Sequence, residues 1–281
     1  MDTMTVPQIQ LSVPELTQKA RKIRRDILTM IYEAQAGHPG GSLSAADIVT
    51  ALYFRIMRID PQNPEWEDRD RFILSKGHAC PVLYSALANR GYMPHEVIHT
   101  LRKLGSPLQG HADMRKAAGV DITTGSLGQG LSDGLGMALG ARVLGKDFRV
   151  YVLLGDGEMQ EGQVWEAVMA AANWNVDHLT AIVDRNRLQN DGVVADIMRV
   201  EPLTKKWESF GWQVVEIDGH NMAEIVAALE RVPQTVGKPT VIIANTVKGK
   251  GVSFMENVPG WHGKAPNREQ YLQAMQELGE E

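Results

Sequence analysis

Cysteine is nearly absent. Cys80 is the only one in 281 residues, so no disulfide can form within the chain, and a reducing cytoplasm is its simplest home. Cys80 itself reads as a small packing residue. An excess of positive charge is also missing. Lys and Arg number 29 against 34 Asp and Glu, giving a net charge of -5 and a pI near 5.9. That balance offers no electrostatic case for binding nucleic acid or an anionic membrane. No apolar run approaches the roughly 20 residues needed to span a bilayer. Residues 1–13 lack a basic segment followed by an apolar one, so they read as a flexible tail, not a secretory signal. Internal repeats, low-complexity tracts and interdomain linkers are absent too. What is present is ordinary for a globular chain, with 43% hydrophobic and 22% charged residues. The length is enough for a sizeable core. We expect residues 14–281 to form one domain.

Short apolar runs bounded by glycine or polar residues predict strands at 71–75, 149–154, 179–184, 213–217 and 240–245. Helical periodicity separates most of them. Pro14 opens a first helix with Leu16, Ala20, Ile23, Ile27 and Ile31 on one face, ending by Gly37. Ser44 with Asp47 three residues on resembles a capping box for a second helix running to Met57. Residues 60–68, rich in Pro, Asn and Trp, read as a loop. Strands alternating with helices imply an α/β fold, a parallel β-sheet flanked by helices on both faces.

The most telling segment is Gly155-Asp156-Gly157-Glu158. It closes the strand at 149–154, which puts Asp156 at the carboxyl edge of the sheet, where α/β folds hold phosphorylated ligands. Helical periodicity over 163–174 and the strand at 179–184 then bring Asn186 to the same edge. A carboxylate, an amide oxygen and a backbone carbonyl make a hard oxygen site that leaves positions open for phosphates. Such a site suits Mg²⁺ or Ca²⁺.

Five of the eight histidines lie beside glycine, and four of them, His38, His78, His111 and His262, read as loop residues. Glycine lets the backbone approach a ligand, and neutral imidazole suits proton transfer and hydroxyl binding near pH 7. His178 and His220 sit at element boundaries and read as capping residues. His95-Glu96-Val97-Ile98-His99 matches a zinc-protease pattern. Pro94, an ordinary apolar face and the lack of a third ligand favour a structural reading. The glycine-rich stretch 125–130 leads into a helix bearing Gly134, Gly136 and Gly140. Its spacing departs from the dinucleotide fingerprint, and glycine inside a helix costs about 1 kcal/mol against alanine. Close backbone packing is the expected reason for it.

Taken together, Gly155-Asp156-Gly157 with Asn186, the wording of 155–167, Ser75-Lys76-Gly77-His78, Gly125-Ser126-Leu127-Gly128-Gln129-Gly130 and Trp261-His262-Gly263 resemble transketolases, especially those divided into two polypeptides. The resemblance runs from about Ala20 to Pro266. It implies a thiamine-diphosphate-binding domain of the diphosphate-holding type, with Asp156, Asn186 and the Leu188 carbonyl on the metal. His78, Gly157 and Asn186 would contact the cofactor diphosphate. Gly125, Ser126 and Leu127 would support its rings, Ser126 standing where many members carry proline. His38, His111 and His262 would bind the donor sugar and shuttle protons, His262 lying between cofactor and substrate. The implied reaction moves a two-carbon ketol unit from a ketose phosphate to an aldose phosphate. The pyrimidine-binding half, with its essential glutamate, has no counterpart here. The resemblance therefore implies a separate C-terminal subunit in an α2β2 assembly. The alternative readings are a subunit of a deoxyxylulose-phosphate synthase-like or 2-oxo acid decarboxylating enzyme, and an inactive cofactor-binding homologue.

Overall fold

The computed structural model describes residues 9–279. Most of the expected tail lies outside them, and residues 9–12 carry no regular element. Helix α1 (Val13–Ala34) follows. The Glu15 carboxylate accepts from the Ser12 N–H at 2.7 Å and the Ser12 hydroxyl at 2.6 Å. Pro14 in the first turn forfeits no intrahelical donor. Leu16, Ala20, Ile23, Ile27 and Ile31 are all buried, as their spacing predicts.

The second helix departs from expectation. It is two short pieces, α2 (Pro39–Ser44) and α3 (Ala46–Ala51), the latter running into a π-helical turn over Leu52–Ile56. Ser44 ends α2 instead of capping a helix. Its hydroxyl donates to the Asp184 carboxylate at 2.5 Å. Asp47 accepts from both terminal nitrogens of Arg24, at 3.0 and 2.6 Å, and meets His220 Nδ1 at 2.8 Å. Distant partners have taken both side chains of the apparent capping box.

Strand β1 (Arg71–Leu74) leads to α4 (Cys80–Arg90), a 3₁₀ turn over His95–Thr100, and α5 (Gly130–Val143). His95 Nε2 lies 3.1 Å from Asp26, and His99 Nδ1 2.9 Å from Glu33, so each is held by a carboxylate on α1. Then come β2 (Val150–Gly155), α6 (Gly162–Asn173) and β3 (Leu179–Arg185). A small antiparallel hairpin, β4 (Leu188–Gln189) and β5 (Gly192–Val193), was not foreseen from the sequence. The chain continues through α7 (Val194–Ile197), α8 (Leu203–Ser209), β6 (Gln213–Asp218), α9 (Met222–Arg231), β7 (Thr240–Asn245) and α10 (Arg268–Glu277).

The five long strands form one parallel sheet in the order β1-β2-β3-β7-β6. Side chains alternate between faces along each strand. Tyr151 and Leu153 join a core with α1, α3, α4 and α9, while Val150, Val152 and Leu154 join a second core with α5, α6 and α8. Helices therefore cover both faces, as a parallel sheet requires.

The glycines of α5 divide into two kinds. A Cβ on Gly134 would sit 2.6 Å from Val152 Cγ2, whereas one on Gly136 or Gly140 would meet nothing within 4 Å. Close packing explains Gly134 and not the other two. Gly134→Ala is expected to destabilise the chain by about 1–3 kcal/mol through overpacking. Gly136→Ala should instead stabilise it by about 0.5–1 kcal/mol. Urea denaturation of the two variants side by side checks the contrast.

Candidate active site

Parallel register sets Gly155 opposite Asp184, so β2 and β3 end together and Asp156 and Asn186 leave the sheet at one edge. A cavity of about 270 Å³ opens there. Asp156, Asn186, Leu188, Gly157, His78, Leu127 and His262 all line it, with Lys76 and Lys248. Gly125 and Ser126 do not; both are exposed on the neighbouring loop.

Asp156 is buried. Its Oδ1 accepts from the Gly157 N–H at 2.8 Å and its Oδ2 from the Arg187 N–H at 2.5 Å. Burial, and then the negative charge of Asp184, push its pKa up to about 6. Arg187 has φ 65, a left-handed backbone uncommon outside glycine. At this turn the Asn186 side-chain oxygen accepts from the Leu188 N–H at 3.1 Å. The Leu188 carbonyl accepts from Lys248 Nζ at 2.8 Å.

Three imidazoles meet beside these oxygens. Ring centroids are 5.1 Å apart for His38 and His78, 5.0 Å for His78 and His262, and 5.5 Å for His38 and His262. Burial is the first cause that lowers their pKa values, to about 4 for His38, about 2 for His78 and about 3 for His262. The charges of Arg102, Lys76 and Lys248 act in the same direction. All three rings are neutral at pH 7. His111 lies at the margin. It is exposed, its ring carbons pack 3.6 Å from where Gly125 would carry a Cβ, and Arg102 also lowers its pKa after burial.

Lys248 was not singled out from the sequence, although it stands in the same glycine-flanked setting as the histidines, Val247-Lys248-Gly249. It is buried, and its Nζ lies 2.8 Å from His262 Nδ1. An ammonium can only donate, so Nδ1 accepts and the ring proton of His262 sits on Nε2. Burial, then Lys76, lowers the Lys248 pKa to about 8. His220 also exceeds its expected capping role. It bridges Asp47 to the Val247 N–H, which Nε2 accepts at 2.8 Å, and so fixes the turn that carries Lys248.

These groups fit an anion paired with a divalent cation. Lys248 is a buried cation whose direct contacts are a carbonyl and an imidazole, and Asp156 is a buried carboxylate with a raised pKa. Among the described residues neither has a direct ion pair, although each lies in the field of the other. His38 Nδ1 is buried with no hydrogen-bond partner among the described residues. Among the described residues no three His, Cys, Asp or Glu side chains gather as a metal site. The expected donor set uses one carboxylate, one amide and one carbonyl instead.

Residues 16–281 match the family model for the thiamine-diphosphate-binding domain of transketolase. The chain belongs to the transketolase family. The 6-deoxy-6-sulfo-D-fructose transketolase subunit SqwG of Clostridium sp. (strain MSTE9) is 48% identical over 95% of this chain and 97% of that protein. One of the subunits of the apulose-4-phosphate transketolase of Phocaeicola vulgatus is 43% identical, over 96% of each chain. Human transketolase is 39% identical over 96% of this chain but only 43% of its own length. Among solved structures, the transketolase of Campylobacter jejuni superposes with a TM-score of 0.91 at 33% identity, over 96% of this chain and 43% of that one. The match thus covers the thiamine-diphosphate-binding domain, nearly the whole of the two subunits and less than half of the human and Campylobacter chains.

Depressed imidazoles give the folded chain fewer bound protons than the unfolded chain between about pH 4 and 6.5. Stability held above pH 6.5 is therefore lost as pH falls through that window. The urea midpoint at pH 5 should lie below that at pH 7, and His38→Gln should narrow the gap. Removing a positive neighbour has the opposite effect on a ring. His262 should stay untitrated down to pH 5 in the natural chain, and its titration should move to higher pH in Lys248→Met, burial holding it below the free value. Imidazole ¹⁵N shifts measure both, and an unmoved His262 would show that Lys248 does not set its basicity.

Proposed function

We propose that the chain is the N-terminal subunit of a transketolase divided into two polypeptides. With a C-terminal subunit, in an α2β2 assembly, it transfers a two-carbon ketol unit from a ketose phosphate to an aldose phosphate. The observation that carries this reading is one cavity lined by neutral His78 and His262 with Asp156, Asn186, Leu188 and Lys248, the His38 ring packing against both histidines from outside its lining. Two relatives of the chain's own length bear the name of transketolase subunits, which supports the divided form over the decarboxylating alternative. Residues 14–281 act as one cofactor-binding domain, and a reducing cytoplasm suits its single, buried Cys80.

In this reading Asp156, Asn186 and the Leu188 carbonyl hold Mg²⁺ or Ca²⁺. His78, Gly157, Asn186 and Lys248 hold the diphosphate of thiamine diphosphate, while Gly125, Ser126 and Leu127 support its rings. The bound cofactor supplies the nucleophilic carbon and the electron sink for breaking the sugar C–C bond. Orientation and proton transfer fall to this chain. Lys248 locks His262 with its proton on Nε2, so the free edge of the ring donates to a sugar oxygen. His38, its ring 5.1 Å from that of His78 and 5.5 Å from that of His262, stands on the donor-sugar side of the pair. His111, exposed beside them, serves the outer part of the sugar. Several neutral imidazoles suit a polyhydroxylated substrate, because each can donate or accept without adding charge.

Two-carbon transfer with thiamine diphosphate and Mg²⁺ should appear only when this chain is mixed with its C-terminal partner. Transfer by the chain alone, or carbon dioxide release from pyruvate by the mixture, would overturn the reading. Asp156→Ala should weaken metal-dependent cofactor binding in the mixture by about 100-fold, seen by calorimetry. His262→Ala should lower turnover more than cofactor affinity.

A further inference from the structure

Glu158 follows the Gly155-Asp156-Gly157 turn and takes no part in the chemistry described above. Its side chain is 3% exposed, and among the described residues no Lys or Arg pairs with it directly. A buried carboxylate without an ion pair is costly unless hydrogen bonds replace its water. Glu158 has three. Oε1 accepts from the Ser75 hydroxyl at 2.5 Å and the Gly128 N–H at 2.9 Å, and Oε2 accepts from the Gly155 N–H at 3.0 Å.

The three donors come from three separate segments, Gly155 being the last residue of β2. Ser75 begins the segment that carries Lys76 and His78. Gly128 belongs to the loop of Gly125 and Leu127. Gly155 directly precedes Asp156. The first two segments also touch through their backbones, since a Cβ on Gly77 would fall 2.9 Å from the Thr124 carbonyl carbon and 3.0 Å from the Gly125 nitrogen. Gly128 adopts φ +85, and a Cβ there would strike the Glu161 side chain at 2.6 Å. The glycine loop can thus take this path only with glycine at 128, and Glu158 fastens it by that residue's own N–H.

We propose that Glu158 is a positioning residue: its carboxylate ties the three segments that bear the cofactor contacts and fixes their mutual placement before any ligand arrives. The cofactor part of this inference rests on the function proposed above. Glutamine cannot replace the carboxylate. With its amide nitrogen in the place of Oε2, that nitrogen faces the Gly155 N–H. With the amide turned over, it faces the Gly128 N–H. Either orientation sets donor against donor and forfeits one backbone bond.

The test is Glu158→Gln with Ser75→Ala beside it. Amide hydrogen exchange is measured on the free chain, and calorimetric binding of thiamine diphosphate with Mg²⁺ on the complex with the C-terminal subunit. In Glu158→Gln we expect faster exchange at Gly128 or Gly155 and a cofactor Kd raised about 10- to 100-fold, with a melting temperature close to the natural chain's. Ser75→Ala removes one hydrogen bond and should raise Kd about fivefold. Natural exchange and natural Kd in Glu158→Gln would overturn the proposal. So would a lowered melting temperature with unchanged Kd, which marks a merely structural role. If Glu158→Gln does not fold, Ser75→Ala decides by the same Kd criterion. Failure of the natural complex to bind thiamine diphosphate would refute the functional reading instead, and exchange at Gly128 in the free chain would still judge the role of Glu158.

Discussion

The floor of the site depends on one buried ion pair. Lys76, just past β1, reaches Asp184 near the end of β3, and its Nζ also donates to the Gly41 carbonyl at 2.8 Å. Asp184 accepts in addition from the hydroxyls of Ser44 and Thr246. Burial alone would raise the Asp184 pKa, but Lys76 and the two hydroxyls hold it below the usual carboxylate range. Four segments that share no sequence neighbourhood meet on one carboxylate: α2, the turn after β1, β3 and the turn after β7. Removing either charge of such a pair costs about 3–5 kcal/mol, a large part of the roughly 5–15 kcal/mol that stabilises a typical domain. Every side chain assigned to the cofactor is carried by one of these segments or by a loop resting on them.

Above this floor the charges are deliberately incomplete. Lys76 is matched by Asp184, whereas among the described residues Lys248 Nζ hydrogen-bonds only to the Leu188 carbonyl and His262. Asp156 is held by backbone N–H groups alone. The outer shell is better satisfied: Arg24 closes on Asp47, Asp47 on His220, and His220 on the Val247 N–H. In that outer network each charge has an opposite charge or hydrogen-bond partner in direct contact, whereas Lys248 and Asp156, which line the cavity, have no direct ion pair among the described residues. That contrast separates a binding site from a core network of the same composition.

What could be read in advance follows the range of each signal. The five strands were legible because β-branched runs announce themselves locally, and β7 ends where its composition changes. Asp156 and Asn186 followed from topology, since parallel neighbours deliver successive loops to one edge. Ser44 and Asp47 misled because a capping box is a local pattern, and here Asp184 and Arg24, far along the chain, outcompete it. Lys248 and Glu158 were missed for a related reason. A lysine reads as solvated and a glutamate after Asp-Gly as a turn residue, until the fold buries both. Gly136 and Gly140 carry the same letter as Gly134, and only the packing of α5 on β2 tells them apart.

The crowding of lysines and imidazoles has a consequence for proton traffic. Lys76 and Lys248 are among the charges that depress His78 and His262. A polyanion entering the cavity offsets part of that field. A bound polyanion therefore acts on the imidazoles through space as well as by contact, offsetting the lysine share of the shift while burial, its larger cause, remains.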